Sequence, residues 1–389
     1  MKLLNSEIEK RVIVKLDRSI TTKGTSGIMQ FGSNNDYPQT IEKLIMNSQT
    51  AKACANIYAR FIGGLGFSNP EIGKIPVGID ERGRRITLDK MRRDAAVSLS
   101  LFNGAFIHCN QNLNKEVGNT KLVQFKTCRF SAIDDKGYCG KVAVHQNWAK
   151  DSDLKKFAAS DVNWYFHFNL DTIESNIKAT GGIDDNGNFM GFKGQIYFIS
   201  FDDQYLYPLS PFDSVYLDMD TEYQVQLFKN RELRNGFTDK VVMNIDPPDD
   251  DTERADTVKK CRDWMGPEGD KLLLFEAEFD ETGELKQGSS YKLDMIQTNI
   301  NDKLFEGWEK SLSNNIRKSI YIPAVLIDYE QGQLSQASGE MVAQAVNYYN
   351  SLTQPLREYL SESMREIYSN HVNPVLKNNT DWTLKPFEL

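Results

Sequence analysis

The side chains that most often perform acid–base or nucleophilic chemistry are sparse in this 389-residue sequence. The four histidines are His108, His145, His167 and His371, and the five cysteines are Cys54, Cys109, Cys128, Cys139 and Cys261. The histidines form no HExxH pair and follow no GxSxG elbow, and the cysteines include no CxxC pair of the kind that structural zinc needs. We interpret the histidines as strand or surface residues and the cysteines as reduced thiols that are mostly buried.

Carboxylates are the next candidates, either for general acid–base catalysis or for a two-metal site. They are densest in one short run, which contains Asp249, Asp250, Asp251, Glu253 and Asp256. Either chemistry would need these groups gathered in a pocket. After "DPP" they fall instead at a turn and a helix N-terminus, where negative charge stabilises the helix dipole. We therefore predict a solvated acidic surface, and no metal or cofactor.

Three glycine-containing motifs also fail as ligand sites. "GGLGF" at Gly63–Phe67 closes a predicted helix and lacks the full GxGxxG, so it is a poor dinucleotide signal. "KGTSG" lacks the Gly-Lys-Ser/Thr of a phosphate loop. "DDNGN" at Asp184–Asn188 lacks both the ligand register and the distal glutamate of a calcium loop, so it predicts a hairpin turn.

The composition is that of a soluble globular protein, with 40% hydrophobic and 26% charged residues. No run approaches the ~20 apolar residues that span a bilayer, and the start of the sequence is too charged for a signal peptide. The net charge is −8, which argues against a protein that binds nucleic acid tightly through a basic surface. Residues 236–296 hold 16 acidic and 8 basic residues, which leaves 38 of each sign elsewhere.

The first half of the chain predicts helices followed by strands, which indicates an α+β domain. After an arm or loop over residues 1–35, one helix starts near Pro38 and stops at Gly63 and Gly64. A second helix runs from Leu88 to Phe102 and is capped by Thr87. The predicted strands follow: "AFIHCN", "KLVQFK", "GKVAVHQNW", "DVNWYFHF" and "GQIYFISF".

The second half predicts two long helices separated by a small acidic module of strands and one helix over 236–295. The first long helix covers 213–235 and the second 296–320. A polar loop over 328–339 then leads into a last helix from about Ser338 to Tyr368, in which Pro355 removes a hydrogen bond and predicts a kink near Leu352.

An apolar residue recurs at every fourth position of the second long helix. The residues are Ile296, Ile300, Leu304, Trp308, Leu312, Ile316 and Ile320. At 100° per residue the stripe advances about 40° with each step, so it winds around the helix. A helix with such a stripe contacts different neighbours along its length, as a strut between adjacent subunits would.

This order of elements resembles the portal protein family of tailed bacteriophages, over about Asn35 to Phe387. The similarity is strongest over residues 291–364, which include "SIYIPAVLIDYEQGQLSQASGEMVAQ", and it extends to "NNDYPQTIEKLIMNSQTAKACANIYARFIGGLGF". It implies an α+β portal-type fold with an α/β wing, two stem helices, a small α/β clip between them, a tunnel loop and a kinked tunnel helix. The implied divisions are arm 1–35, wing 36–212, stem 213–235, clip 236–295, stem 296–320, tunnel loop and helix 321–370, and tail with minimal crown 371–389.

The resemblance also implies a function. Portal proteins form a ring, usually of twelve, at one capsid vertex, where they contact the major capsid protein. A separate terminase pumps double-stranded DNA through the ring, and tail adaptor proteins dock on the clip. We therefore expect a non-enzymatic, sequence-independent DNA channel, located in the virion and, during assembly, in the host cytoplasm, with no membrane association.

The resemblance assigns roles to three groups of residues. The group facing DNA in the tunnel loop is Tyr329, Gln331, Gln333, Ser335 and Gln336. The group at subunit contacts is Leu304, Trp308 and Leu312, and the group facing adaptor or terminase on the clip is Asp249, Asp250, Asp251 and Glu253. The polar loop residues suit weak, sequence-blind contacts with phosphates and sugars.

Two alternatives stay open. The chain could be another virion structural protein, such as an adaptor or capsid component, which should lack a module inserted between two long helices. It could also be a hydrolase in which the loop over 328–339 covers a carboxylate site. Ring-shaped particles would favour the portal, and monomers with metal-dependent activity would favour the enzyme.

Overall fold

The computed structural model describes residues 15–22, 27–148, 162–235, 240–244, 292–296, 302–327 and 339–388. Its strands are β1 Ile20–Thr22, β2 Met29–Phe31, β3 Gly66–Phe67, β4 Pro76–Ile79, β5 Arg85–Thr87, β6 Gly104–Gln111, β7 Val117–Val123, β8 Cys128–Phe130, β9 Lys141–Val144, β10 Asn163–His167, β11 Gln195–Ser200, β12 Lys240–Asn244, β13 Lys292–Ile296 and β14 Leu384–Lys385. Its helices are α1 Tyr37–Asn47, α2 Gln49–Gly63, α3 Pro70–Lys74, α4 Leu88–Phe102, α5 Ile173–Ala179, α6 Tyr216–Asn235, α7 Asp302–Ser319, α8 Gly339–Tyr368 and α9 Pro374–Lys377. The predicted α+β class is confirmed.

The chain divides into two compact units. Residues 1–220 and 312–389 form the first, which we call the body, and residues 221–311 form the second, which we call the insert. Both α6 and α7 cross the division. No helix in the described ranges is long and apolar enough to cross a membrane.

A six-stranded sheet is the centre of the body, with strand order β7-β6-β11-β10-β9-β8. All neighbouring pairs are antiparallel except β10 and β11, which are parallel. The predicted strands are confirmed, but two of them end earlier than expected. The strand predicted over "GKVAVHQNW" stops at Val144. The strand expected to continue to Lys126 stops at Val123, because Phe125 turns inward and stacks on Phe102 with ring centroids 4.7 Å apart.

Helix α4 packs against the sheet and against α2. Its predicted bounds and cap are confirmed: it spans Leu88–Phe102, and the Thr87 hydroxyl accepts a hydrogen bond from the amide of Lys90. Leu88, Met91 and Leu99 are buried on the inner face, as the helical period requires.

The single helix predicted between Pro38 and Gly63 is wrong, because the chain breaks at Ser48. Ser48 has an extended backbone (φ −89°, ψ 121°), and its buried hydroxyl accepts a hydrogen bond from the amide of Ala51. A serine in this geometry is a strong N-cap, so it ends α1 and starts α2. The apolar residues keep their helical spacing across this break, so the sequence pattern alone does not show it.

The interpretation of residues 1–35 as an arm or loop is wrong for the described part of that range. Strands β1 and β2 form an antiparallel hairpin. Phe31 is fully buried between two rings, stacking on Tyr37 at 4.1 Å and on Tyr207 at 4.8 Å between centroids. Aromatic burial of this kind makes the hairpin part of the core of the body.

Helix α8 and the residues after it also pack on the body. The helix continues through Pro355, close to its predicted bounds, and the kink expected near Leu352 stays a prediction. After α9, β14 pairs antiparallel with β3 through Leu384 and Lys385. Trp382 and Leu384 are buried there.

The described part of the insert contains one two-stranded sheet. Strands β12 and β13 pair antiparallel, with Lys240 opposite Ile296 and Asn244 opposite Lys292. The chain therefore enters and leaves the insert sheet at neighbouring positions. The placement of Ile296 in the second long helix is wrong, because Ile296 ends β13 and the helix begins at Asp302.

Candidate functional site

Two of the three predicted groups of site residues lie outside the described residues. These are the tunnel loop group, Tyr329, Gln331, Gln333, Ser335 and Gln336, and the clip group, Asp249, Asp250, Asp251 and Glu253. Their roles stay predictions. The structure does describe the residues that hold the two ends of the loop and the start of α6.

The predicted subunit-contact residues lie on α7. Leu312 is buried within its own chain at 8% exposure, whereas Trp308 is 47% exposed, and the side chain of Leu304 lies outside the description. Within α7 the stripe makes three steps, from Leu304 to Ile316, so it turns by about 120° around the helix. This is less than the winding predicted for a helix that extends back to Ile296. Of the two described side chains in this group, Trp308 offers more apolar surface.

The chain that leads from α7 toward the polar loop is anchored in the core of the body. Ile320 and Ile322 are buried on either side of the exposed Tyr321, which adopts a left-handed φ of 57°. The buried Tyr349 donates its hydroxyl to the carbonyl oxygen of Ile320 at 3.1 Å. This hydrogen bond ties the buried part of "SIYIPAVLI" to the third turn of α8, which follows the loop in the sequence.

Two buried arginines hold α8 and α4 at the C-terminal end of α2. Arg357 of α8 donates to the carbonyl of Phe61 at 3.0 Å, and Arg92 of α4 donates to the carbonyls of Gly63 and Gly64, the latter at 2.9 Å. The last carbonyls of a helix are unpaired and carry negative partial charge, so cations stabilise them. Burial lowers the pKa of both guanidinium groups. Sequence reasoning missed this contact.

The start of α6 is fixed by a second polar cluster. Asp213, in the turn before the helix, accepts hydrogen bonds from Tyr37 at 2.8 Å and from Arg18 at 2.6 Å. Tyr37 in turn accepts from the amide of Ser210. Burial, with the charge of Asp213 second, raises the pKa of Tyr37. The base of the first long helix is therefore tied to α1 and to the N-terminal hairpin.

Helix α8 exposes a line of large apolar side chains beside its core-facing side. Met341, Tyr348, Leu352 and Tyr359 are exposed by 40–54%. Their spacings of seven, four and seven residues place them within about 20° of one line at 100° per residue. We call these four residues the α8 stripe. The sequence shows their period but does not distinguish them from the buried Tyr349 and Leu360.

The four histidines and four of the five cysteines lie within the described residues, and Cys261 lies outside them. Burial lowers the pKa of His108, His167 and His371, which favours their neutral forms. Cys54, Cys109 and Cys128 are buried as predicted, whereas Cys139 is half-buried, and none of these four forms a disulfide. In the part of the chain that the structure describes, no three or more His, Cys, Asp or Glu side chains are grouped so as to hold a metal ion.

Solved structures share this arrangement, although no family model and no curated protein matches the sequence. An HK97 family phage portal protein from Corynebacterium diphtheriae is 10% identical, with a TM-score of 0.43, over 85% of this chain and 91% of that chain. A chain in the virion of the native gene transfer agent (GTA) particle is 10% identical, with a TM-score of 0.50, over 85% and 81%. A chain in the neck of that particle, computed with C12 symmetry, is 11% identical, with a TM-score of 0.51, over 86% and 81%.

The chain shares the fold of these two GTA particle chains over most of its length. The resemblance to phage portal proteins seen in the sequence is confirmed at the level of the fold. In the described residues, the hydrogen bond between Tyr349 and Ile320 joins the segments on either side of the polar loop, and Arg92 and Arg357 hold α4 and α8 at the end of α2.

Proposed function

We propose that this protein is a phage portal protein, which forms a ring-shaped channel at one capsid vertex through which DNA enters during packaging and leaves during ejection. The observation that carries the proposal is the fold shared with a chain in a particle neck computed with C12 symmetry. The proposal includes a ring of twelve copies in the virion, next to the major capsid protein. Terminase docks during packaging and tail adaptor proteins dock afterwards, while the ring itself has no enzyme activity.

The charge distribution suits passage of DNA. Residues 236–296 carry the whole net charge of −8 and include the predicted clip group. Double-stranded DNA carries about one negative charge per 1.7 Å, and a basic wall would hold it through counterion release. An acidic passage avoids that binding and lets the polymer move.

The anchored loop suits contact with a moving polymer. The residues before the loop are held by the buried Ile320 and Ile322, and those after it by α8, through Tyr349 and Arg357. The segment between them, residues 328–338, carries uncharged hydrogen-bonding side chains at Gln331, Gln333, Ser335 and Gln336. Such groups make weak, sequence-independent contacts with the DNA backbone, which we propose resist backward slippage.

Imaging of the purified protein tests the proposal. We expect negative-stain micrographs to show end-on rings with a central hole. A protein that stays monomeric at micromolar concentration, or forms only open aggregates, would contradict it. A metal-dependent hydrolytic activity in monomers would favour the hydrolase instead.

A loop deletion tests the role of the loop separately. Removal of Gln331 to Ser335 should leave rings intact, because the anchor lies outside the deletion, and should reduce the yield of full-length packaged DNA. Packaging and retention at the wild-type level would show that the loop does not hold DNA.

A further inference from the structure

In the described part of the chain the α8 stripe is about half exposed, although it lies beside well-packed surface. Its four residues point away from the core-facing residues Val346, Tyr349 and Leu360, all of which are buried. Contiguous exposed apolar surface of this kind commonly marks an interface. The remaining question is which partner covers it.

The C-terminal end of the stripe is acidic. Tyr359 packs on Phe201 with ring centroids 6.0 Å apart. Burial and the negative charges of Asp203, Glu366 and Glu362 raise the pKa of Tyr359. A depression of about 490 Å³ opens beside these groups. Arg365 also lines it and pairs with Glu362 at 2.6 Å, and Glu366 accepts a hydrogen bond from the Tyr197 hydroxyl, so the three carboxylates near Tyr359 still outnumber the one cation. The partner should therefore combine apolar surface with positive charge.

A surface of that kind exists elsewhere on the same body. The turn between β4 and β5, residues 80–85 with sequence "DERGRR", carries three arginines. Arg84 pairs with Asp80, and Glu81 pairs with Lys121. Among the described residues, no side-chain ion pair involves Arg82 or Arg85.

The arginine turn is held rigidly and is flanked by apolar surface. Gly78 of β4 lies so close to Thr120 of β7 that a Cβ there would be 2.0 Å from the Thr120 carbonyl oxygen. Ile79, beside the turn, is 54% exposed. Arginine is enriched at protein interfaces because its planar group makes several hydrogen bonds to carboxylates at once.

The turn and the stripe lie at different parts of the body. The turn packs outside β7, the edge strand of the sheet, whereas Tyr359 packs next to Phe201, directly after β11, the third strand from that edge. Copies related by a rotation that closes a ring contact each other through two different surfaces. Two complementary surfaces on one chain fit that requirement.

Resting on the proposed ring, we infer that the α8 stripe of one copy is covered by the neighbouring copy, and that the neighbour contributes its arginine turn, with Arg82 and Arg85 facing Glu362 and Glu366. The occupant is thus a second copy of this chain. A capsid protein or an adaptor on the stripe would be a different outcome of the test.

The first experiment places a charge on the stripe. Leu352→Asp is compared with Gln354→Asp, which adds the same charge on the exposed polar side of the same helix. Light scattering coupled to chromatography should show at least a tenfold loss of assembled rings for Leu352→Asp and rings close to the wild-type level for Gln354→Asp. Both variants should keep the wild-type circular dichroism, because both positions are exposed.

The second experiment exchanges charges between the two surfaces. Glu362→Arg and Arg82→Glu should each weaken assembly, and the double variant should recover most of it. Recovery requires that the two residues meet across copies. If Leu352→Asp assembles like the wild type, or if the double variant is no better than the single ones, the inference is wrong.

The outcomes separate this inference from the proposed function. Wild-type rings that persist in Leu352→Asp refute the interface and leave the portal proposal intact. The wild type could instead form small oligomers that are not rings. If Leu352→Asp and the charge exchange affect those oligomers as predicted, the result supports the interface and refutes the ring. If Leu352→Asp rings form but fail to enter capsids, a capsid protein covers the stripe and the inference is overturned.

Discussion

Two adjacent tyrosines on α8 allow a sharp test of the loop anchor. Tyr349 is fully buried and donates its hydroxyl to the Ile320 carbonyl at 3.1 Å, whereas Tyr348 is 54% exposed. Tyr349→Phe removes only the hydroxyl, so the ring keeps its edge contact with Phe61 at 4.8 Å. The Ile320 carbonyl then loses its tyrosine donor in the core.

The expected cost follows from that loss. A buried polar group left without a partner costs about 1–3 kcal/mol, so Tyr349→Phe should lower the free energy of unfolding by that amount. Tyr348→Phe, the matched control, should change it by less than about 0.5 kcal/mol, as exposed substitutions do. Tyr349→Ala also leaves a cavity and should cost about 3–5 kcal/mol.

Urea unfolding at one fixed protein concentration measures all three variants, since assembly makes apparent stability depend on concentration. Hydrogen exchange should also be faster at Ile320 and Ile322 in Tyr349→Phe than in Tyr348→Phe. Equal stabilities for the two Phe variants, with equal exchange at the anchor, would refute the proposed link between α8 and the residues before the loop.

Four further predictions test other features of the fold. Gly64→Ala would place a Cβ 2.1 Å from the Lys385 carbonyl oxygen, so it should detach β14 and expose the tail to protease. Its control is Gly83→Ala, which is also at positive φ but in open space and should lower the free energy of unfolding by only about 1–2 kcal/mol. Burial raises the pKa of Tyr58 from 10.0 to about 12. A raised tyrosine pKa stabilises the folded state below pH 10, and this contribution is lost as the pH rises toward 12. Tyr58→Phe should therefore reduce the loss of unfolding free energy between pH 10 and 12 by about 1.4 kcal/mol per pH unit, as measured by urea unfolding. Ser48→Ala should cost about 1 kcal/mol of unfolding free energy by removing the cap of α2, and a thermal melt unchanged from wild type would contradict it. Trp308→Asp should yield folded chains that fail to close rings in negative stain, and normal rings would count against a subunit contact at α7.

The sequence is most informative where local chemistry and burial agree. Thr87 at the start of α4 and the β-branched and aromatic residues of β6 and β11 satisfy both, so their bounds were predictable to within one residue. Ser48 is a case of conflict. It caps α2 in the middle of an uninterrupted apolar period, and a pattern based on burial does not detect a break of one residue.

The four-residue spacing that begins at Ile296 shows a different difficulty. Residues four apart lie on one face of a strand, where the period is two, as well as on neighbouring turns of a helix. The spacing therefore fits both β13 and α7, and only the pairing of Lys240 with Ile296 decides between them. A strand partner about fifty residues away is not visible in a local pattern.

The contacts that position the candidate site are tertiary and could not be predicted. Arg92 and Arg357 come from different helices to the end of α2, and nothing in their neighbours marks them as buried. Phe31 is placed in the core by Tyr207, far along the chain. The stripe on α8 is similar: the sequence gives the period of Tyr348 and Tyr349 equally, and only packing separates the exposed ring from the buried one.

The link between Tyr349 and Ile320 also bears on how the protein can change over evolution or in the laboratory. It ties together the described segments on either side of residues 328–338, so we expect the fold to tolerate changes in what joins them. Doubling the length of a flexible loop costs only about 0.6 kcal/mol of closure entropy. The position is therefore a natural exchange site, where loops of other lengths and chemistries can be grafted to alter how the proposed channel treats its cargo while the scaffold stays the same.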